Sequence, residues 1–321
     1  MSELTFGLLG AGHFGRNYIR ILQSIPGVKL LAVADISQEA LSGLEVPLST
    51  IKTLNFQEVI DNQQIDCVII ATPTFSHFTL SQAVLRAGKH VLVEKPMVSK
   101  LEEAKSLRDD VLKSGNILMV GHQYLYNDYI RRLKKRIEAG DLGQVRTFSA
   151  EHFYCRPGNA SSNCFWETAT HELAIIDYLF SPGKIYDVKG RLINISGDGR
   201  YDFTTVNITY GNDLYATLIN SWCMPEKIRR FVVAGDQGTA LYNDYIETGK
   251  LKFFSYAGQS QPDKAITVDE MFAREPLLNE IEHFIECIRF NRSPLTNIEH
   301  GLRITEQLAV IFQRLAIANH V

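Results

Sequence analysis

Two short constellations in this chain carry side chains suited to moving a proton and holding negative charge. The first is Glu94-Lys95-Pro96, directly after the apolar stretch His90 to Val93. A lysine between an acid and a backbone-restricting proline can bind a hydroxyl or carbonyl oxygen and stabilise charge developing there. Its alternative is a solvated loop lysine. The second is Phe165-Trp166-Glu167-Thr168-Ala169-Thr170-His171-Glu172, which leads into an apolar helical run. Glu167 and His171 are four apart, so on a helix they share a face and can pair. Such a pair fixes the imidazole tautomer and raises its basicity, which suits removal of a proton from an alcohol. A helix-capping histidine is the alternative. His171-Glu172 also opens like H-E-x-x-H, but position 175 is Ile, so the zinc-protease reading fails and no metal site is expected.

A cofactor fingerprint stands at the start of the chain. The apolar run from Leu4 meets Gly10-Ala11-Gly12-His13-Phe14-Gly15, a G-x-G-x-x-G pattern that passes into helical spacing at Phe14, Tyr18, Ile21 and Ile25. The chain must turn sharply at Gly10, approach a pyrophosphate at Gly12 and pack a helix on its strand at Gly15. A second apolar run, Val28 to Ala34, ends in Asp35, about 20 residues beyond the fingerprint, where a carboxylate can accept from ribose hydroxyls. That carboxylate repels a 2′-phosphate, and no Arg or Lys lies between Ile36 and Val46, so NAD is expected in preference to NADP. A cap for the helix near Ser37 to Leu44 is the other use for Asp35. A further turn, Ala71-Thr72-Pro73-Thr74-Phe75-Ser76-His77, joins a buried strand to a helix whose first N–H groups can face a ligand; a plain capped connection is equally consistent.

These residues need a scaffold, and its outline is readable. The first 121 residues alternate strand and helix, the pattern of a parallel sheet covered on both faces. Strands are expected at Asp66 to Ala71, His90 to Val93 and Ile117 to Val120, with helices at Phe75 to Ala87 and, behind a Ser99/Glu102 capping box, up to Gly115. After Gly121-His122 the character changes. A basic amphipathic helix, Tyr129 to Ala139, is followed by strands Val145 to Tyr154, Ile185 to Ile193, Phe203 to Tyr210, Leu214 to Trp222 and Arg230 to Ala234. The basic face is read as solvated. Gly211-Asn212-Asp213 marks a hairpin and so antiparallel pairing. Helices Leu277 to Arg289 and Glu299 to Ala318 close the chain. The fold class is therefore α/β, an N-terminal Rossmann domain over 1–121 and a C-terminal α+β domain over 122–321 with an open, largely antiparallel sheet. The uncovered face of that sheet calls for self-association as a homodimer or homotetramer.

Composition narrows the function classes. The chain has 321 residues, 45% apolar and 21% charged, with net charge −3, which gives no reason to expect nucleic acid or an anionic membrane as partner. Five cysteines without C-x-x-C spacing fit reduced thiols, and no run approaches the ~20 apolar residues of a membrane span, so a cytoplasmic location is expected.

Taken together, the glycine fingerprint, Ala71-Thr72-Pro73 with His77, Glu94-Lys95-Pro96 and a histidine in the following domain resemble the Gfo/Idh/MocA family of NAD(P)-dependent sugar and cyclitol oxidoreductases, collinearly over essentially the whole chain. The resemblance implies that Gly10, Gly12, His13, Phe14, Gly15, Asp35, Thr72, Pro73, His77, Glu94 and Lys95 serve the cofactor. It implies that Lys95 is the active-site lysine, that Glu94 lines the nicotinamide pocket, and that His171 is the base or proton carrier. Relatives often carry Asp-x-x-x-His where this chain has Glu167 and His171. Gly121 to Asn127 and Trp166 to Glu172 are similar to a branch acting on nucleotide-linked N-acetylated sugar acids, which makes Tyr124, Asn127 and Arg156 substrate contacts to examine. The implied reaction is NAD-dependent oxidation of a secondary hydroxyl of a sugar, cyclitol or sugar derivative. The same residues also fit an NAD-dependent glycosidase using transient oxidation, and the fold alone fits a dinucleotide-sensing regulator without turnover.

Overall fold

The computed structural model describes residues 3–155, 163–256, 267–268 and 272–318. They form two compact units, Met1–Gln123 with Glu275–Glu306, and Tyr124–Arg274 with Gln307–Val321.

The first unit runs β1 (Leu4–Leu9), α1 (His13–Ser24), β2 (Val28–Ala34), α2 (Gln38–Ser42), β3 (Ile51–Thr53), α3 (Phe56–Asp61), β4 (Cys67–Ile70), α4 (His77–Arg86), β5 (His90–Glu94), α5 (Leu101–Ser114) and β6 (Leu118–Gly121). Its six strands are all parallel, in the order β3-β2-β1-β4-β5-β6. The order reverses between β1 and β4, and ligands of open α/β sheets bind outside the carboxyl ends of strands at such a switch point. β4 is apolar throughout and wholly buried, as a strand covered on both faces must be. α5 begins one residue later than the Ser99/Glu102 box predicts. Glu103, not Glu102, accepts from the backbone N–H groups of Ser99 and Lys100, at 3.1 and 3.2 Å. α4 also starts late. Thr74–Ser76 forms a single 3-10 turn after Pro73, and the α-helix opens at His77.

The sequence reading draws one boundary at Gly121, yet 275–306 groups with the first unit. The reason is backbone pairing at the last strand. Val120 N–H donates to Thr296 O at 2.8 Å, Thr296 Oγ1 donates back to Val120 O at 2.7 Å, and Met119 bridges Asn297. Ile298 joins Val93, Met97 and Val120 in the apolar core.

The second unit runs α6 (Asp128–Glu138), β7 (Val145–Cys155), α7 (Cys164–Phe180), β8 (Ile185–Ile193), β9 (Phe203–Tyr210), β10 (Tyr215–Ser221), β11 (Cys223–Gly235), β12 (Gly238–Asn243), β13 (Leu251–Ser255) and β14 (Thr267–Val268); next in the chain come α8 (Pro276–Arg289), which belongs to the first unit, and α9 (Ile298–Ala318), whose residues divide between the two after Glu306. The eight strands lie in the order β14-β13-β12-β11-β7-β10-β9-β8. Every pair is antiparallel except β7 with β10. The predicted hairpin joins β9 to β10, with Asp213 at φ 62° in its turn. β11 is longer than the Arg230 to Ala234 stretch expected. Pro225 and its polar neighbours break the strand pattern, and a register shift between Cys223 and Ile228 accommodates them. Burial alternates strictly along β9, and α7 packs on the sheet over β7, β9 and β10. Asn163 caps α7 by accepting from Trp166 N–H at 3.0 Å.

Candidate active site

At the switch point each fingerprint glycine answers a different steric demand. Gly10 has φ +97°, and a Cβ there would lie 2.6 Å from Ala71 O, so only glycine lets β1 turn against the end of β4. A Cβ at Gly15 would lie 2.1 Å from Gly10 O, so glycine is what allows α1 to rest on its strand. Around Gly12 a Cβ would meet nothing within 4 Å. Gly12 precedes α1, and no side chain caps that helix. Open space at an uncapped helix N-terminus is the cradle a pyrophosphate needs.

Asp35, at the carboxyl end of β2, ties this loop down. Its Oδ2 accepts from Ala11 N–H at 2.7 Å and its Oδ1 from Ser37 N–H at 2.8 Å. The cap of α2 is Ser37, whose hydroxyl accepts from Ala40 N–H. Beside the carboxylate Ile36 is 82% exposed, and after β4 Phe75 is 75% exposed, so two apolar side chains stand bare along the edge where an adenosine can lie. His13 is exposed at the first position of α1, and Phe14 is half-buried with its ring edge-on to Tyr18 at 5.8 Å. These residues fit a dinucleotide: a cradle for phosphate, a carboxylate for ribose and an apolar edge.

The turn after β4 and the turn after β5 are joined by His77. Its ring is buried, with Nδ1 2.9 Å from Pro96 O and Nε2 2.7 Å from Thr72 O. Burial is the largest influence on this imidazole and pushes its pKa down. His77, expected among the cofactor contacts, thus stands between Thr72 on one turn and the Lys95-Pro96 turn on the other, and its one N–H can donate to either carbonyl. Pro73 is exposed and Thr72 half-buried, its hydroxyl 2.7 Å from that of Ser76.

Lys95 is half-buried directly after β5. Glu94 before it turns its carboxyl inward. Tyr18 donates its hydroxyl to Glu94 Oε1 at 2.6 Å, and the Lys95 N–H donates to Oε2 at 3.1 Å. Burial raises the Glu94 carboxyl to about 7, partly opposed by the Tyr18 hydrogen bond and the Lys95 charge. Glu280 of α8 is fully buried, and burial, then the nearby Glu94, pushes its pKa well up.

The second unit carries the other candidates on α7 and its sheet. His171 is buried, its ring edge-on to Tyr124 at 4.9 Å and tilted against His152 at 5.9 Å. Glu167 is half-buried one turn earlier on the same helix. A polar network lies beside them. Arg229 donates from Nε to His152 Nε2 at 3.2 Å, and its NH2 group is 2.8 Å from the same atom. A guanidinium only donates, so His152 Nε2 accepts and its proton sits on Nδ1, 2.9 Å from Glu172 Oε1. Asn220 donates to the other Glu172 oxygen at 3.4 Å. Arg229 also reaches Asp244 at 3.2 Å and lies over the Tyr124 ring at 4.6 Å. Asn127 caps α6 by accepting from Tyr129 N–H at 2.9 Å and donates to the Tyr242 hydroxyl at 3.1 Å. Arg156 lies outside the described residues.

Sequence reasoning missed Tyr18, Glu280, His152, Arg229 and Asn220, and gave Glu172 no role of its own. A signal existed for Glu280, which stands on the apolar stripe of α8 with Leu277, Ile281 and Phe284.

A sequence profile described as an oxidoreductase family with an NAD-binding Rossmann fold, GFO_IDH_MocA, matches residues 4–122, and the GFO/IDH/MocA C-terminal domain profile matches residues 130–241. The chain is 26% identical over 332 residues to scyllo-inositol 2-dehydrogenase (NAD(+)) of Bacillus subtilis, covering 94% of this chain and 93% of that protein. It shares its fold with the WlbA dehydrogenase of Bordetella pertussis, solved with NADH and UDP-GlcNAcA, at TM-score 0.84, 21% identity and 98% and 97% coverage. The aldose-aldose oxidoreductase of Caulobacter crescentus, complexed with glycerol, superposes at TM-score 0.83 with 20% identity and 98% coverage of each chain.

Proposed function

The chain belongs to the GFO/IDH/MocA family of NAD-dependent oxidoreductases, and from that premise we propose that it oxidises a secondary hydroxyl of a sugar, cyclitol or sugar derivative, or reduces the matching ketone. The observation that carries the reading is the open cradle at Gly12 on the sheet's switch point, with Lys95 following a neighbouring strand of the same edge. The near full-length similarity to scyllo-inositol 2-dehydrogenase supports a polyol as substrate class.

Gly12, in the turn that Gly10 and Gly15 shape at the start of α1, would leave room for the pyrophosphate, and Asp35 would accept from the adenosine ribose, which favours NAD over NADP. NAD, when bound, supplies the hydride acceptor. Lys95 binds the substrate oxygen and stabilises the alkoxide as it develops. His171 takes the hydroxyl proton, and Glu167, one helical turn before it, orients the imidazole. Tyr124, packed on His171, lines the sugar. The protein acts in the cytoplasm as a homodimer or homotetramer through a face of its second sheet, which light scattering at micromolar concentration reads directly; a monomer alone removes that part.

An NAD-reduction screen over inositols, aldoses, amino sugars, sugar acids and nucleotide sugars tests the reading. Lys95→Ala is expected to lower kcat by orders of magnitude while leaving NADH affinity nearly intact, because its electrostatic contribution is concentrated in the transition state. Ordinary turnover in that variant refutes the assignment. Release of an aglycone from aryl glycosides without net NADH replaces dehydrogenation by redox-assisted glycoside cleavage.

A further inference from the structure

The first unit buries two acids together, and they are unequally provided for. Glu94 is 7% exposed and accepts from two donors, the Tyr18 hydroxyl and the Lys95 backbone N–H. Glu280 is 0% exposed, and neither of its carboxyl oxygens has a hydrogen-bond partner among the described residues. An ionised carboxylate without donors in a protein core is strongly disfavoured, and a second negative charge nearby adds to the cost. The environment therefore separates the two acids into different roles. Glu94 has the donors a charged group needs; Glu280 has none. Room for the Glu94 carboxyl comes from Gly121 at the end of β6, where a Cβ would sit 3.1 Å from Glu94 Oε1.

We propose that Glu280 keeps its proton and that Glu94 is the member of the pair that titrates, so that the pair carries at most one negative charge beside the Lys95 turn and Glu280 acts as a positioning residue for Lys95. The titratable and charged groups acting on the pair are Tyr18 from α1, Lys95 at the end of β5, and Glu94 on Glu280 of α8. With one proton between the acids, Lys95, Glu94 and Glu280 together are neutral, and the Glu94 carboxylate stays free to hold the Lys95 N–H. With two charges the acids repel one another and draw the Lys95 ammonium toward themselves. The positioning role rests on the reading that Lys95 acts in catalysis; the retained proton does not.

The test is Glu280→Gln, which keeps the shape and imitates the protonated acid. In wild-type protein the unfolded chain releases the Glu280 proton near the ordinary glutamate value while the folded chain keeps it, so stability falls as pH rises through that window. The variant has no such proton. Denaturant unfolding of the full chain, followed from the ordinary glutamate range upward in pH, is expected to show the variant-to-wild-type ratio of folding constants rising, by up to about tenfold per pH unit. A ratio that stays flat overturns the proposal. Infrared spectra give a readout that survives if the variant does not fold: wild-type protein should keep a protonated-carboxyl band above neutral pH, where Glu94 has ionised, and its absence there overturns the retained proton. Turnover separates the remaining parts. With NAD and scyllo-inositol, or whichever polyol the screen identifies, Glu280→Gln should keep kcat at neutral pH and lose the alkaline fall that ionisation of Glu280 produces in wild type. A climbing stability ratio alongside an unchanged alkaline limb overturns the positioning role. Unimpaired turnover in Lys95→Ala overturns the catalytic reading and leaves the proton result standing.

Discussion

Gly12 and Gly15 lie three residues apart, and the structure assigns their glycines to opposite causes, which a pair of alanine variants separates. At Gly15 a Cβ would stand 2.1 Å from Gly10 O and 3.0 Å from Gly10 C, whereas ordinary contact starts at 3.4 Å, so α1 must back off its strand by more than 1 Å. Forced repacking of that kind costs about 1–3 kcal/mol, a roughly fivefold to 150-fold fall in the folding constant. Gly12 has φ −68° and ψ −165°, which alanine adopts freely, and a methyl there meets nothing within 4 Å. Losing glycine from that N-cap position costs no more than about 1 kcal/mol. Denaturant melts should therefore show Gly15→Ala clearly destabilised and Gly12→Ala close to wild type. NADH fluorescence titration should show weaker binding in both, with Gly12→Ala losing at least about tenfold because its methyl fills the phosphate approach, an effect of about 1.4 kcal/mol. A Gly12→Ala protein that binds NADH as wild type does would refute the cradle. Equal destabilisation of the two variants would refute the steric assignment.

Replacing Asp35 with Ser removes the carboxylate that repels a 2′-phosphate and accepts from ribose. NAD affinity should fall by about tenfold or more, as charge-assisted hydrogen bonds contribute ~1.5–3 kcal/mol, and the NADP-to-NAD ratio of kcat/KM should rise; an unchanged ratio discards the ribose role. Arg229→Gln takes the guanidinium from His152, Asp244 and the Tyr124 ring. Melts should record a loss of about 1–3 kcal/mol, and steady-state kinetics should show a lower kcat with NADH affinity unaltered; full turnover would detach this network from His171.

What the sequence made legible was local. Gly10 to Gly15, Asp35 and Glu94-Lys95-Pro96 each announce themselves within a few residues, because a tight turn, a strand end and a restricted loop leave a mark on neighbouring positions. The alternation of strand and helix likewise betrayed the parallel sheet, and Gly211-Asn212-Asp213 betrayed a hairpin. What stayed hidden depends on distant parts of the chain. Tyr18 reads as one more apolar face residue of α1 until Glu94, 76 positions on, comes to accept from its hydroxyl. His152 and Arg229 meet only because β7 and β11 pair directly, Arg229 opposite His152 in register. β3 has three residues, too few for any periodicity to show, and β11 is interrupted by Pro225. His77 was visible as a residue but its place was not, since its two carbonyl partners lie on separate turns.

The pairing of Thr296 with Val120 has a consequence for how this protein reaches its native state. The nucleotide-binding half is not finished when its last strand leaves the ribosome: one flank of β6 must wait for a segment 176 positions later to arrive and zip onto it. A fragment stopped at Gln123 would expose that ragged margin and should aggregate or recruit a foreign strand, whereas a fusion restoring 275–306 should keep it in solution. Synthesis from the N-terminus thus leaves the oldest part of the molecule dependent on some of the youngest.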